Sequence, residues 1–254
     1  GVEGKTKFTR FEIKAWSAHT FRVRITKEKS FNPAQYALAQ DTATYHQVVV
    51  SNKGNQLEIS TPFITCVVEQ SPWFRIIFKN AAGEIIQEDE QGEGFGTSWM
   101  GETFTWYKKM QEGERFLGLG EVLGPLDKRG MAFTLNNTDT YKYGDPRLSM
   151  YISIPFYIGV HHRQVYGLFF NNTWKTRFNF GISTPGFSSI TADGGDMDYF
   201  FFYDQQIAGI LDEYSRVTGK MPMPPKWSLG YHQSRCSYYP QSAVEWLGAT
   251  FRNK

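Results

Sequence analysis

With only two cysteines in 254 residues, the chain cannot be a disulfide-stapled scaffold. Cys66, inside the apolar run FITCVV, reads as a small core residue. No apolar run approaches the roughly 18 residues of a spanning helix and no leader peptide is visible, so a membrane partner is not expected. Net charge is only +2, with both signs interspersed, so the basic field that nucleic acid requires is missing. The stretch Gly118–Gly124 (GLGEVLG) lacks the G-x-G-x-x-G spacing and no helical periodicity follows it, which argues against a phosphate loop. DGGDMD (Asp193–Asp198) lacks the downstream glutamate of a calcium loop and reads as a glycine turn entering a strand. His161 and His162 are adjacent, so a strand would point them to opposite faces, and a hairpin turn accounts for them better than a metal does. No metal and no cofactor is expected. The chain begins with glycine rather than methionine, which leaves the compartment open.

Aromatic residues, in contrast, are plentiful at 17%, and they suit both half-buried sheet faces and sugar rings. Alternating apolar and polar residues mark strands at 11–13 and 21–25, with further strands at 56–60, 63–68 and 73–78. Gly83 closes a hairpin onto Ile85 and Ile86, and 103–110 and 116–120 follow. A segment thick with Gly, Pro, Asn and Asp, Glu121 to Met150, reads as a long irregular loop, the kind that is often functional. Its carboxylates Glu121, Asp139 and Asp145 have turn-making as their plainest role. Strands resume at 151–160, 165–170, 174–180, 188–192 and 197–203, the spacing expected of a sandwich. A helix follows, with Ile207, Ile210, Leu211, Tyr214 and Val217 on one stripe and Gly219 as its cap. Prolines in KMPMPPK mark a boundary, giving a sandwich domain over 1–222 and a β-then-α unit over 223–254. In that unit Trp227–Gln233 reads as a strand and the residues after Pro240 as a helix. One such unit is far short of the roughly 250 residues of a (β/α)₈ barrel, so the chain reads as a fragment. Asn136 and Asn171 each open an N-x-T sequon, which matters only for a secreted protein.

Several segments in order carry a resemblance: GLGE (118–121), KRG (128–130), NTD (137–139), SIPFYIGV (153–160), YGLFFNNT (166–173), GGDMDYFF (194–201), LDEYSRVTGKMPMPPKWSLGYHQSR (211–235) and YYP (238–240). From about Phe116 onward the chain resembles glycoside hydrolase family 31, which includes α-glucosidases and α-xylosidases. The resemblance implies a mainly β fold: a galactose-mutarotase-like β-sandwich followed by the first β/α unit of a truncated (β/α)₈ barrel, with Trp227 opening barrel strand 1. It implies a retaining hydrolase acting on an α-linked oligosaccharide or glycoside from its non-reducing end, with two carboxylates about 5–5.5 Å apart. No residue here matches those catalytic aspartates, which are expected beyond Lys254, so the fragment is expected to be inactive alone. Asp139 corresponds to the loop aspartate that hydrogen-bonds a sugar hydroxyl, and Arg235 and Cys236 fall at the end of strand 1 near the cleaved sugar. Two positions depart from the family pattern. Cys236 stands where Trp or Tyr is common, and Asn136 precedes NTD where Trp is frequent. The compartment is left unknown, with a soluble protein of bacterial cytoplasm or periplasm expected rather than a membrane one.

Two other functions compete. A stand-alone carbohydrate-binding β-sandwich module would explain the aromatic excess. An aldose mutarotase rests on fold analogy, and His161, His162 and His232 have no evident acidic partner. The orphan barrel unit leaves the apolar residues of 227–231 and 244–251 needing cover, either from the sandwich or by self-association with a second copy.

Overall fold

The structure, a computed structural model, describes residues 1–6, 9–33, 36–39, 45–92, 102–140 and 149–254, together with the backbone of 96–97. It divides into two units, residues 1–219 and 220–254.

The first unit holds all the strands. In chain order these are β1 (Val2–Lys5), β2 (Arg10–Ala15), β3 (Thr20–Thr26), β4 (Val49–Lys53), β5 (Gln56–Ser60), β6 (Ile64–Glu69), β7 (Arg75–Asn80), β8 (Ile85–Asp89) and β9 (Gly96–Thr97). There follow β10 (Phe104–Lys109), β11 (Arg115–Gly120), β12 (Ala132–Leu135), β13 (Ser153–His161), β14 (Gln164–Phe170), β15 (Thr176–Phe180), β16 (Phe187–Ala192) and β17 (Met197–Asp204). One sheet runs β1-β2-β3-β17-β14-β13-β11, and the other runs β12-β15-β16-β10-β8-β7-β6-β5-β4 with β9 paired to β10.

Aromatic side chains fill the space between the sheets. Phe78 stacks on Phe201 with centroids 3.8 Å apart, Trp106 lies 4.2 Å from Tyr199, and Phe116 lies 4.4 Å from Phe180. The outer face of the first sheet is covered in its turn by helix α1 (Ile207–Thr218). Tyr214 of α1 stacks on Phe156, and Ile210 and Val217 are buried with Phe200 and Phe202. This double cover explains the unbroken run MDYFFFY. Tyr199 and Phe201 of β17 face the second sheet while Phe200 and Phe202 face the helix, so neither face is wet. Gly167 makes room for α1, because a Cβ there would lie 2.6 Å from Ile210. Glu213 of α1 is buried and accepts hydrogen bonds from Ser17 (2.6 Å) and Thr20 (2.7 Å), which anchor the helix to β3 and the turn before it. Gly219, at φ 87°, ends α1 by donating its N–H to the Ser215 carbonyl.

Two expectations need correction. The segment 121–150 is not wholly irregular, since β12 lies inside it, paired with β15 from Ala132↔Asn179 to Leu135↔Thr176. Trp227–Gln233 is not a strand. Lys226–Leu229 forms a 3₁₀ turn held by Ser228 N–H to the Pro225 carbonyl (2.9 Å), and the residues after it stay irregular. A strand needs a neighbour to take its hydrogen bonds, and the second unit has none, so local i→i+3 bonds win. Its helix, α2 (Gln241–Asn253), begins directly after Pro240 as the sequence implied.

Candidate functional site

Between β12 and β13 the chain leaves the second sheet and returns to the first. The described ends of this excursion are tied together. Thr138 donates its N–H to the Met150 carbonyl (3.1 Å), Thr140 Oγ1 to the Ser149 carbonyl (2.7 Å), and Tyr151 OH to the Thr140 carbonyl (3.0 Å). Ser149 Oγ donates to the Thr134 carbonyl (3.0 Å) at its base. Asp139 sits within this brace and is exposed. Asp145 lies outside the described residues, and Glu121 is exposed just after β11.

Beside the brace opens a cleft of about 450 Å³, lined by Asn136 and Asn137 from the loop, Ser153 and Pro155 from β13, and Phe169 to Thr176 at the end of β14. A volume in the range of known ligand pockets, with amides and hydroxyls converging on a few aromatic rings, suits a neutral polar ligand. Trp174 stands at its rim, half exposed. The sequence reading placed Trp174 in a strand and missed this position. The available signal was an aromatic between turn-forming polar residues, NNTWK, directly before β15. Of the two sequon asparagines, Asn136 is exposed, whereas Asn171 donates its amide to Asp198 at 2.8 Å.

Arg235 and Cys236 belong to the second unit. Both are exposed, Arg235 has its guanidinium 5.7 Å from the Tyr238 ring centroid, and Cys236 is a free thiol. Asp139 belongs to the first unit and this pair to the second.

The remaining motifs are used structurally. His161 ends β13 with Nε2 2.6 Å from the Ile86 carbonyl, and burial holds its pKa below the usual range. His162 and Arg163 form the hairpin turn, with φ 43° and 65°. In DGGDMD each carboxylate has its own partner. Asp193 meets Arg177 (2.8 Å), Asp196 accepts the Asn32 N–H (2.7 Å), and Asp198 takes a fork of two bonds from Arg22. Among the described residues no cluster of His, Cys, Asp and Glu has metal-binding geometry. GLGEVLG carries a bulge in β11, with Leu119 at φ 68° and Gly118 packed where a Cβ would lie 2.6 Å from the Phe156 carbonyl.

A buried polar cluster lies inside the sandwich. Lys108 donates to Asp89 (2.9 Å) and to Gln87, and its ammonium lies 3.6 Å from the Trp106 ring centroid. Asp89 also accepts from Trp106 Nε1 (2.8 Å) and the Ile76 N–H (2.9 Å). Burial pulls Lys108 down to about 8 against the opposing pull of Asp89, and it pushes the Cys66 thiol up. Glu114 accepts from Tyr166 OH (2.7 Å), and burial pushes it up to about 7. These groups are closed off from solvent and serve packing.

A double sandwich of this topology, with a braced loop beside a polar cleft, belongs to the class of galactose-mutarotase-like domains. The family model for the glycosyl hydrolase 31 N-terminal galactose mutarotase-like domain matches residues 10–179. The chain therefore belongs to glycoside hydrolase family 31. It is 38% identical over 191 residues to alpha-glucosidase 2 of Bacillus thermoamyloliquefaciens, covering 75% of this chain and 24% of that protein. It is 34% identical over 140 residues to an alpha-glucosidase of Saccharolobus solfataricus, covering 54% and 20% respectively. The family 31 dextranase of Flavobacterium johnsoniae, solved with isomaltotriose, superposes with a TM-score of 0.85 at 28% identity, over 97% of this chain and 30% of that one. The chain thus spans about a quarter of the length of the relatives it matches. Among the described residues no helix is long and apolar enough to cross a membrane.

Proposed function

We propose that this chain is the N-terminal portion of a retaining α-glycosidase that hydrolyses α-linked glucosides from the non-reducing end. In this reading its sandwich supplies a substrate-contacting loop. The observation that carries the proposal is the loop of a family 31 domain whose described ends are tied together by hydrogen bonds with Asp139 exposed among them. A carboxylate suits this position because a sugar offers paired hydroxyl donors, and charge-assisted bonds are the stronger kind. Residues 223–254 form the start of the catalytic barrel, where Arg235 and Cys236 border the cleaved sugar. Cys236 in place of an indole leaves that subsite roomier, which bears on glucoside against xyloside preference. The two catalytic carboxylates come from residues beyond this chain, and the chain by itself does not hydrolyse.

The buried histidine disfavours the mutarotase alternative, because His161 is sealed by the Ile86 carbonyl. The test is Asp139→Asn in the parent enzyme, assayed on aryl α-glucosides, α-xylosides and malto-oligosaccharides. The expected result is kcat/KM lower by about tenfold or more, as for loss of one charge-assisted bond. An unchanged kcat/KM removes Asp139 from substrate contact, and a parent that cleaves none of these substrates overturns the activity itself.

A further inference from the structure

The indole of Trp174 is a mounted ring. A Cβ built on Gly194 would lie 3.0 Å from both Cδ2 and Cε2, and one on Gly195 would lie 2.9 Å from Cδ1 and 3.3 Å from Nε1. Cδ2 and Cε2 are the two ring-fusion carbons, which have ring atoms on either side in the plane and are approached only from a face. One face of the indole therefore lies against the Gly194–Gly195 backbone, and a side chain at either position would crowd the ring.

Asn172 ties the backbone of Trp174 to this glycine turn. Its Oδ1 accepts the Trp174 N–H (2.7 Å), and its Nδ2 donates to the carbonyls of Gly194 (2.9 Å) and Asp196 (3.0 Å). The ring is nonetheless 49% exposed, and its indole N–H has no acceptor among the described residues. A tryptophan packed by one face on a backbone that three hydrogen bonds hold in place has already lost part of the side-chain freedom that binding would otherwise cost.

Around the ring, polar side chains stand among apolar ones. On one side lies the 450 Å³ cleft with Asn136, Asn137 and Lys175. On the other lies a depression of about 580 Å³ bounded by Phe31, Glu102 and Asp196. Trp174 belongs to both, and so joins two hollows of mixed lining with a flat apolar surface. A ligand that matches has an apolar face to lay on the indole and a rim of hydroxyls for the amides and carboxylates around it. A pyranose ring has this shape, and a chain of them extends past one hollow into the next. An aromatic platform with flanking hydrogen-bond groups divides the work in the usual way of ligand sites, area from the ring and orientation from the polar atoms.

We infer that Trp174 is the stacking platform of a sugar-binding surface on the sandwich, which holds a glucosyl unit of an α-linked oligosaccharide through Glu102 and Asp196 beside it. The choice of α-linked glucose units rests on the functional reading above. The surface itself rests on the mounted indole.

The experiment uses the 254-residue chain and isomaltotriose or maltotriose at millimolar concentration, with the indole N–H signals of the seven tryptophans followed by nuclear magnetic resonance. The Trp174 signal, assigned with Trp174→Phe, is expected to shift saturably while that of the exposed Trp73 stays still. Calorimetry then compares variants. Trp174→Ala is expected to weaken binding by about tenfold or more, and Trp174→Tyr to retain most of it, because a phenol offers a similar face. A Trp174 signal that does not move with either sugar overturns the proposal, and this holds even if Trp174→Ala fails to fold. Undiminished binding by a folded Trp174→Ala overturns it equally. If the parent cleaves α-glucosides while the Trp174 signal stays still, the functional reading stands and this surface falls. If the Trp174 signal shifts and the parent cleaves nothing, the surface stands and the hydrolase reading falls.

Discussion

Arg22 of β3 forks onto Asp198 of β17, with Nε to Oδ1 at 2.9 Å and Nη2 to Oδ2 at 2.7 Å, and both side chains are about 95% buried. Asn171, at the end of β14, donates to the same Asp198 Oδ2 at 2.8 Å. Three neighbouring strands thus converge on one carboxylate directly beneath the turn that carries Gly194 and Gly195. The Arg22 guanidinium also lies 5.1 Å from the Phe200 ring centroid, so its flat face is covered as well. Removing Asp198 takes from the buried Arg22 guanidinium the carboxylate it forks onto. Asp198→Ala is expected to cost about 3–5 kcal/mol, the range for breaking a buried pair from one side. Urea denaturation checks this, and a loss under about 1 kcal/mol would show that the pair is not desolvated as described.

The pH dependence of stability is expected to carry the mark of Glu114. Burial raises its pKa from an ordinary 4.5 to about 7, against opposing pulls from Tyr166, the Gln111 N–H, Arg129 and Lys108. The folded state therefore holds this proton more tightly than the unfolded chain does. Its contribution is fully present below about pH 4.5 and is lost as pH rises to about 7, amounting to no more than about 3 kcal/mol. Glu114→Gln removes the titrating proton while keeping an acceptor for the Gln111 N–H, and is expected to flatten the slope between these two pH values. A slope unchanged in Glu114→Gln assigns the proton elsewhere.

The hairpin between β13 and β14 turns through His162 and Arg163, both with positive φ. Two-residue turns of this kind favour Asn-Gly, since a β-carbon is costly in the left-handed region. Both side chains are exposed, so replacing them disturbs no packing. The double variant His162→Asn, Arg163→Gly is expected to raise stability by about 1 kcal/mol, seen as a higher Tm. A lower Tm would mean that the approach of the His162 ring to His161, 3.3 Å between their Nδ1 atoms, contributes more than the turn strain costs.

Which parts of this fold were legible in the sequence follows from where each residue's partners lie. The strands with one wet face alternate and were found. The unbroken run of β17 was found as a strand, but the reason for it, a helix on its outer face, is a tertiary fact. The strands missed were β1, β4, β9 and β12. Three of these end a sheet and β9 pairs only at its margin, so each is held by one neighbour and its own pattern is only two to five residues long. Trp227–Gln233 failed in the opposite sense, with strand-like residues and no neighbouring strand. Asp139 stood out only through the family motif, because an aspartate in a turn has an adequate local explanation. Trp174 was hidden for another reason. Its ring is positioned by two glycines in the turn between β16 and β17, and nothing in NNTWK refers to them.

The second unit gives the last prediction. Trp227, Leu229, Tyr231, Val244, Trp246 and Phe251 are all exposed, and α2 has no buried residue. Val244 and Phe251 are seven residues apart on α2, so they share one side of it, an amphipathic arrangement that is stable when the apolar side is covered. A row of large side chains in water favours any contact that removes it, at roughly 25 cal/mol for each Å² buried. A second copy of the chain offers the same surface, and like surfaces close by a two-fold axis. The 254-residue chain is therefore expected to self-associate, its scattering mass rising with concentration from one chain toward two, and Trp246→Glu is expected to return it to one. A mass of one chain at every concentration, unchanged by Trp246→Glu, would show that these residues do not pair with their own kind.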